Sequence, residues 1–244
     1  MKKSSNGFKL VELLVVIGIL GILMGALFPA ITSAMLSAQA NALSMHGRNL
    51  FTGIMQANVD RESHGRESVW PKQKTADASG QSDDIASKSY ASSADDYFDD
   101  LFDMQNYGTP DHSPYVDVDI KFCSGAGVGA YKGGKTLKGC VAWKIVVDLT
   151  DDMPDVVPVL VSRNISTDSF AKSGTLDTLS QTKQQPVDSQ YTQPFGNKAC
   201  VVVHKGGAVG TYKGRYQSHC DIYDKQTITF VDGAQIDYLK PSNK

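Results

Sequence analysis

The chain has 244 residues, with 24 Lys and Arg against 26 Asp and Glu, a formal charge of −2, 41% hydrophobic residues and 4 Cys. This near-neutral balance excludes a protein that binds nucleic acid through a basic patch, because no basic stripe or arginine-rich tract is present to neutralise phosphates. No segment recurs at a fixed period of about 20 to 50 residues, which excludes a repeat array.

The most apolar segment of the chain lies at its N-terminus. Residues 13–28 (LLVVIGILGILMGALF) contain no charged or strongly polar side chain. Together with the small residues that follow, they form a helix long enough to cross a hydrocarbon core of about 30 Å. Lys2 and Lys3 precede this segment, and the positive-inside rule keeps such a leader in the cytoplasm. The sequence therefore predicts a transmembrane helix over about residues 8–29, with the bulk of the chain on the far side.

An ordinary secretory signal peptide is the alternative interpretation of this segment. Ala38-Gln39-Ala40 supplies a small-x-small cleavage site. A cut there would make the leader longer than the usual length of about 15 to 30 residues. Glu12 also argues against this interpretation, because an unpaired carboxylate inside a hydrophobic segment is costly and a cleaved signal has no use for it.

Residues 7–14 (GFKLVELL) resemble the class III leader of type IV pilins and type II secretion pseudopilins. In that family a dedicated prepilin peptidase cuts after the glycine and methylates the new N-terminus. The resemblance implies a cut between Gly7 and Phe8, an N-methylated Phe8, and Glu12 as the fifth residue of the mature chain. It also implies assembly through the N-terminal helix, with a cytoplasmic assembly ATPase and an inner-membrane platform protein as partners.

Physical arguments support a role in assembly for this helix. The carboxylate of Glu12 can offset the cationic N-terminal amine of a neighbouring subunit, a pairing that sets register more than stability. Gly18, Gly21 and Gly25 include a G-x-x-x-G spacing, which lets helices approach closely in lipid. The alternative is that glycines are merely common in transmembrane helices. Pro29 removes one helix hydrogen bond, so we expect a kink or local melting there.

The helical pattern continues beyond the membrane segment. Apolar residues recur at helical spacing over residues 43–59, so the predicted helix ends near residue 63, with Gly65 just past its end. Residues 71–92 are polar and short-chained, which is typical of a loop or linker. A short helix is predicted to open at Ser93, with Asp96 completing a capping pattern. Its predicted apolar face consists of Tyr97, Phe98, Leu101 and Phe102.

The period of the hydrophobic pattern changes to two from residue 116 onward, which predicts strands of an antiparallel sheet. The last two strands are joined by an Asp232-Gly233 turn. The predicted fold class is α+β and pilin-like, with a long N-terminal helix packed on the sheet. The predicted organisation is a leader (1–7), the helix (8–64) and a β-rich globular domain (65–244). The predicted strands cover residues 116–122, 141–149, 156–161, 199–204, 208–213, 226–231 and 234–239.

A glycine-rich segment from Gly129 to Thr136 matches G-x-x-x-x-G-K-[ST], the phosphate-binding P-loop. A working P-loop needs a helix immediately after it, because the helix N-terminus binds the phosphates. Here a predicted strand follows soon after Cys140. The pattern therefore indicates a glycine-rich loop and not a nucleotide site.

The four cysteines, Cys123, Cys140, Cys200 and Cys220, all lie beyond the membrane segment. None has C-x-x-C spacing, which argues against a zinc ribbon and a thioredoxin-type redox site. In an oxidising periplasm two disulfides are expected as candidates, and Cys123–Cys140 with Cys200–Cys220 is the simplest of three connectivities. Reduced cysteines in the core are the alternative.

Two polar clusters are candidates for metal binding or catalysis. The first cluster could form a metal site or a Cys-His nucleophile, and it consists of His204, His219, Cys220 and Asp221. Adjacent residues on a strand point to opposite faces, however, so His219 and Cys220 are poorly placed to share a site.

The second cluster is acidic and lies in a predicted loop. Some pseudopilins that the chain resembles hold calcium in such a loop of the globular domain, so the resemblance makes this cluster a candidate Ca²⁺ site. Its spacing fits no EF-hand, and a solvated acidic turn is the alternative. The residues are Asp148, Asp151, Asp152 and Asp155.

No acid–base pair, nucleophile elbow or Ser/His/Asp arrangement stands out, so the sequence predicts no catalytic site. The predicted function is a pilin-like structural subunit of a homo- or hetero-oligomeric filament. It is held in the bacterial inner membrane by a single pass, with a cytoplasmic N-terminus and a periplasmic domain. No cofactor other than the candidate Ca²⁺ is predicted, and no nucleic-acid partner.

Two other functions remain open at this point. A type II secretion pseudopilin is favoured over a type IV pilus subunit, because the sequence lacks a single C-terminal cysteine-bounded loop of the pilin kind. The alternative from another class is an exported or membrane-anchored β-rich protein that binds a ligand or acts as an enzyme through residues 93–244. A signal-peptidase cut after Ala40 would favour that alternative.

Overall fold

The computed structural model describes residues 10–72, 93–125, 127–167, 188, 190–213, 222 and 236–242. The chain divides into two compact units, Met1–Ala38 and Gln39–Lys244. The first helix, α1 (Leu10–Ser63), is 54 residues long and supplies residues to both units. The second unit also contains α2 (Ala94–Leu101), two short 3₁₀ turns at Met104–Asn106 and Ile120–Cys123, and five strands. The strands are β1 (Trp143–Val147), β2 (Pro158–Ser162), β3 (Ala199–His204), β4 (Val209–Lys213) and β5 (Asp237–Leu239).

The helix α1 ends as the sequence predicts. Gly65 adopts a left-handed backbone (φ +67°), and the N–H groups of Gly65 and Arg66 donate to the carbonyls of Glu62 and Arg61. These bonds satisfy carbonyl groups that the last turn leaves open, and glycine takes the left-handed conformation at the lowest cost. The helix therefore stops where its hydrophobic pattern stops.

The strands of the second unit form an antiparallel sheet in the order β4-β3-β2-β1-β5. Strands β3 and β4 make a hairpin, in which Ala199 is opposite Lys213 and Val203 is opposite Val209. Every residue of β1, β2 and β3 is buried. The predicted α+β fold with an antiparallel sheet is therefore confirmed, and its three central strands are covered on both faces.

The second half of α1 packs directly against this sheet. Leu43, Leu50 and Ile54 are almost completely buried, and Ser44 Oγ lies 2.7 Å from Thr211 Oγ1 of β4. At Gly47 the helix approaches so closely that an added Cβ would lie 2.6 Å from the ring of Trp143. The helical pattern over residues 43–59 thus forms the face that covers the sheet.

The short helix α2 begins as predicted. The Asp96 N–H donates to Ser93 Oγ over 3.2 Å, and the acidic first turn complements the helix dipole. Tyr97, Phe98 and Leu101 are buried, and Phe102 is buried just past the last residue. The apolar face predicted from the spacing is the face that packs into the core.

The predicted strand at residues 116–122 is wrong. Asp119 caps a 3₁₀ turn (Ile120–Cys123), because its side chain accepts a hydrogen bond from the Lys121 N–H over 2.9 Å. The alternation of apolar residues has a different cause here, since Val118 packs against Gly53 of α1. Here a pattern of period two belongs to a bent segment and a 3₁₀ turn next to α1, and not to a strand in a sheet.

The described residues include only part of the predicted C-terminal hairpin. Residues 226–235, which include the first predicted strand and the Asp232-Gly233 turn, lie outside the described residues, as do residues 73–92 of the predicted linker. The second predicted strand contains β5, which pairs antiparallel with β1 through Tyr238 opposite Val146. Beyond β5, the Lys240 carbonyl accepts the N–H of Ala94 over 2.9 Å, which ties this end of the chain to α2.

Candidate functional site

The apolar first part of α1 is the candidate functional surface. Its large hydrophobic side chains are exposed, from 49% at Leu20 to 79% at Leu10. Burial of one such side chain contributes roughly 1.5–3 kcal/mol, so a surface of this kind requires apolar surroundings. By length and composition, α1 is able to span a membrane. This helix fits a single-pass inner-membrane anchor.

Glu12 lies in the first turn of α1 and is exposed among aliphatic side chains. In hydrocarbon a carboxylate is costly, and such residues pair with a cation or face a protein interior. The structure thus places Glu12 on the exposed apolar part of the helix, and its role in assembly stays a prediction. The predicted processing residues, Gly7 and Phe8, lie outside the described residues.

Gly18, Gly21 and Gly25 lie along the exposed part of α1. A Cβ added at any of them would meet nothing within 4 Å of this chain. The packing of the single chain therefore does not require glycine at these positions. Their spacing of three and four residues places them along one side of the helix, where a second helix could approach closely.

The local melting expected at Pro29 does not occur. The helix α1 runs through Pro29 without a break, and the hydroxyl of Thr32 donates to the Pro29 carbonyl over 2.9 Å. Proline has no main-chain N–H group, so the helix loses the hydrogen bond that this group would donate, and the residues on both sides keep helical geometry. A proline in the middle of a long apolar helix is therefore accommodated here.

The P-loop-like segment is a glycine-rich loop, as the sequence predicts. Gly133 and Gly134 have left-handed backbones, and β1 is the next regular element. The carboxylate of Asp99 accepts hydrogen bonds from Thr136 Oγ1 (2.6 Å) and the Leu137 N–H (2.5 Å). In a P-loop the threonine oxygen would coordinate the metal ion and main-chain N–H groups would donate to phosphate, and a carboxylate in that place repels phosphate.

Asp99 also lines a cavity of about 780 Å³ in the second unit. Burial raises the pKa of Asp99 above its usual range, although its hydrogen bonds to Thr136 and Leu137 oppose that effect. Asp103, in the same cavity, accepts from Asn106 Nδ2 and from the Ser113 N–H. These carboxylates hold neighbouring turns in place, which is a structural task.

The cysteines do not form the predicted Cys123–Cys140 disulfide, because Cys123 is a buried free thiol. Burial raises its pKa well above the ordinary value, and the carboxylates of Asp99 and Asp95 raise it further. Reduced cysteines, the alternative left open by the sequence, are what the structure has at Cys123.

Cys200 of β3 is likewise a buried free thiol, and its predicted partner, Cys220, lies outside the described residues. Burial raises the pKa of Cys200 to about 12, although a hydrogen bond from the Tyr212 backbone opposes the shift. Thiols with raised pKa values are poor nucleophiles at neutral pH. Cys123 and Cys200 therefore act as small core residues.

The predicted cluster around His204 can be described only at His204 itself, since His219, Cys220 and Asp221 lie outside the described residues. Nδ1 of His204 lies 2.7 Å from the Val156 carbonyl, and Nε2 lies 3.3 Å from the hydroxyl of Tyr212. Both ring nitrogens are engaged in joining β3 to its neighbours. This arrangement is typical of a structural histidine.

The four aspartates predicted as calcium ligands lie in the loop between β1 and β2, and all four are exposed. Asp148 has a left-handed backbone (φ +53°), and its N–H donates to the Pro71 carbonyl over 2.9 Å. Within the part of the chain that the structure describes, no three His, Cys, Asp or Glu side chains are grouped so as to hold a metal ion. The structure therefore does not bring these carboxylates together into a ligand set.

A buried ion pair was not anticipated from the sequence. Lys144 of β1 is fully buried, and its Nζ lies 2.5 Å from Asp188 Oδ2 and 2.8 Å from the Ile165 carbonyl. The ring of Tyr191 lies 5.9 Å from the same ammonium. In the sequence Lys144 occupies the polar position of an alternating strand, which predicts exposure, and only its long-range partner explains its burial.

Comparisons with known proteins identify one matching segment. Residues 2–28 match the family model of the prokaryotic N-terminal methylation motif. No curated protein and no solved structure gives a significant match to the chain. The match covers Gly7, Phe8, Glu12 and the three glycines of the exposed helix, and it ends one residue before Pro29, the last residue that the sequence assigned to assembly.

Proposed function

We propose that this chain, which carries the prepilin-type leader of type IV pilins and pseudopilins, is a structural subunit of a type II secretion pseudopilus. The observation that carries the proposal is the methylation motif at residues 2–28 on a helix whose apolar side chains are exposed. The subunit is cut after Gly7, methylated on Phe8 and assembled through α1. Its role is structural and not enzymatic.

The topology in the membrane follows from the charges around the helix. Lys2 and Lys3 hold the leader on the cytoplasmic side of the inner membrane, and the second unit, from Gln39, lies in the periplasm. In this topology the prepilin peptidase cuts after Gly7 at the cytoplasmic surface of the membrane. The second unit, which contains the sheet, is then on the periplasmic side of the membrane, where the filament assembles.

Assembly exchanges one apolar environment for another. In the membrane the side chains from Leu10 to Phe28 contact acyl chains, and in the filament they contact the same helix of other subunits. The carboxylate of Glu12 then pairs with the methylated amine of Phe8 in a neighbouring subunit. Such a pair fixes the axial register between subunits, because either charge left alone in apolar surroundings is costly.

The proposed partners follow from this role. They are other copies of the chain or related subunits, the prepilin peptidase, a platform protein of the inner membrane and an assembly ATPase that acts from the cytoplasm. A type IV pilus subunit is the second candidate, since the same leader serves both kinds of filament. We favour the pseudopilus because the four cysteines of the sequence do not form the pattern of a single C-terminal cysteine-bounded loop of the pilin kind. Within the described residues, the buried free thiol of Cys200 supports that preference.

The direct test is mass spectrometry of the N-terminal peptide and of the intact chain, recovered from native membranes. We expect a chain that begins with N-methylated Phe8. A chain that begins at Asn41, after a signal-peptidase cut, would contradict the proposal and favour an exported binding protein or enzyme. A chain that retains Met1 would also contradict processing at Gly7.

A further inference from the structure

The loop between β1 and β2, residues 148–157, contains the four aspartates predicted as calcium ligands, and it packs against the turn of the β3–β4 hairpin. Two main-chain hydrogen bonds join the loop to the turn. The Lys205 N–H donates to the Val157 carbonyl, and the Gly206 N–H donates to the Asp155 carbonyl, each over 2.9 Å. The first residue of the hairpin turn is therefore held in a fixed position beside the acidic loop.

Gly206 brings the hairpin turn close to the acidic loop. A Cβ at Gly206 would lie 3.1 Å from Asp155 Cβ and 3.5 Å from the Asp155 carbonyl. The next residue, Gly207, has a left-handed backbone (φ +79°), and its N–H closes the turn on the His204 carbonyl. The main-chain hydrogen bonds of Lys205, Gly206 and Gly207 therefore hold the backbone of the turn next to the acidic loop.

The ammonium of Lys205 reaches back into the acidic loop. Nζ donates to the Asp151 carbonyl over 2.5 Å and to the Met153 carbonyl over 2.6 Å. Main-chain carbonyl oxygens that converge on one point are the ligands that a Ca²⁺ ion would use in a loop of this kind. A lysine ammonium has three donors and a full positive charge, so it satisfies the same oxygens.

We infer that the acidic loop contains a cation position, and that the ammonium of Lys205 fills it in place of a metal ion. The residues present do not fit Ca²⁺, because the carbonyls of Asp151 and Met153 already accept hydrogen bonds from a cationic group of the same chain. The aspartate carboxylates are exposed and stay solvated, and their negative potential favours a cation at this position. The loop is thus stable without calcium.

The test measures the thermal unfolding of the full-length chain in maltoside detergent, with EDTA and with millimolar CaCl₂. We expect the same Tm in both conditions for the unaltered chain. Lys205→Met keeps the length of the side chain but removes the ammonium, and we expect it to lower Tm by about 4–8 °C, since hydrogen bonds to a charged group are lost. The matched control is Lys198→Met, which removes a second, exposed lysine from the same domain and should leave Tm unchanged.

Each outcome decides the inference. A calcium-dependent rise in the Tm of the unaltered chain would overturn it, and this measurement needs no variant that folds. A Lys205→Met variant that unfolds like Lys198→Met would also overturn it. A calcium response that appears only in Lys205→Met would support it, because it would show that the ammonium had filled a cation position. The unfolding measurement does not depend on filament assembly, so its result is independent of the proposed function.

Discussion

At the scale of single residues, α1 contains two kinds of glycine that differ in their surroundings. Gly47 and Gly53 lie on the buried side, where an added Cβ would come within 2.6 Å of Trp143 or Val118. Gly18, Gly21 and Gly25 have open space around them in the single chain. The first kind is required by the fold of the second unit. The packing of the single chain does not require the second kind, so a role in contacts with another helix stays a prediction for these glycines.

Gly47→Ala tests the first kind. Overpacking against Trp143 and Val203 costs about 1–3 kcal/mol, and the better helix propensity of alanine offsets at most about 1 kcal/mol of it. We therefore expect a lower free energy of unfolding, measured by denaturant titration of the full chain in detergent. An unchanged free energy would show that the helix and the sheet separate easily at this point.

Gly21→Ala is the matched change for the second kind. The free energy of unfolding should not fall, because nothing in the chain lies within 4 Å of the new methyl group. Incorporation into filaments should fall, since the methyl group keeps neighbouring helices apart. The measurement is the amount of the subunit in sheared or crosslinked filaments relative to the membrane pool. Normal incorporation would exclude the G-x-x-x-G spacing from the assembly contact.

Glu12→Ala should separate processing from assembly. We expect cleavage after Gly7 to continue and incorporation into filaments to be lost, because the methylated amine of the neighbouring subunit would have no carboxylate partner. Glu62→Ala is the control, since Glu62 is an exposed glutamate near the other end of the same helix. Equal incorporation of the two variants would argue against a charge pair in the filament.

At the scale of elements, the buried pair of Lys144 and Asp188 joins β1 to the chain segment that precedes β3. The Asp188 N–H donates to the Asn164 carbonyl, and Asp188 Oδ1 accepts the N–H of Gln190 over 2.9 Å. The ammonium of Lys144 is bonded to the Ile165 carbonyl as well as to Asp188. One lysine side chain thus connects three separate parts of the chain.

Lys144→Met should be strongly destabilising. It leaves the carboxylate of Asp188 buried without its cation, a loss of about 3–5 kcal/mol. The double variant Lys144→Met with Asp188→Leu should recover most of that loss, because an apolar pair of similar volume often matches a buried ion pair. Denaturant titration of both variants measures the difference. Equal stability of the single and double variants would mean that the pair is solvated in solution.

At the scale of the whole molecule, the two units differ in how apolar their surfaces are. The first unit exposes large apolar side chains throughout its described length, whereas the second has its apolar residues in a core between helix and sheet. A chain of this kind is stable when the first unit is surrounded by lipid or by other helices. The proposed exchange between membrane and filament meets this requirement at both stages.

Protease treatment of spheroplasts tests the proposed orientation. Protease added outside should digest the second unit and leave a protected fragment that contains the membrane-spanning part of α1 and any uncut leader, because the lysines of the leader face the cytoplasm. Disruption of the inner membrane should remove the protection of the leader. A second unit that becomes accessible only after disruption would place it in the cytoplasm and contradict the proposed topology.

Local sequence signals by themselves determined the apolar helix, its end near Gly65, the capped start of α2 and the strands β1 to β4. Each depends on residues within one or two turns or on a short alternating run. The prepilin-type leader was also readable, because it depends on spacing along one continuous segment, whereas the cut after Gly7 and the role of Glu12 stay predictions. The match at residues 2–28 agrees with that part of the prediction.

Only the tertiary structure decided the features that join distant segments. The 3₁₀ turn at Ile120–Cys123 replaced a predicted strand because Val118 packs on Gly53 of α1. Lys144 is buried because Asp188 reaches it, and the ammonium of Lys205 enters the acidic loop because a hairpin turn places it there. Such contacts are set by long-range packing and register. A local pattern of hydrophobicity carries no information about which distant group a given side chain will contact.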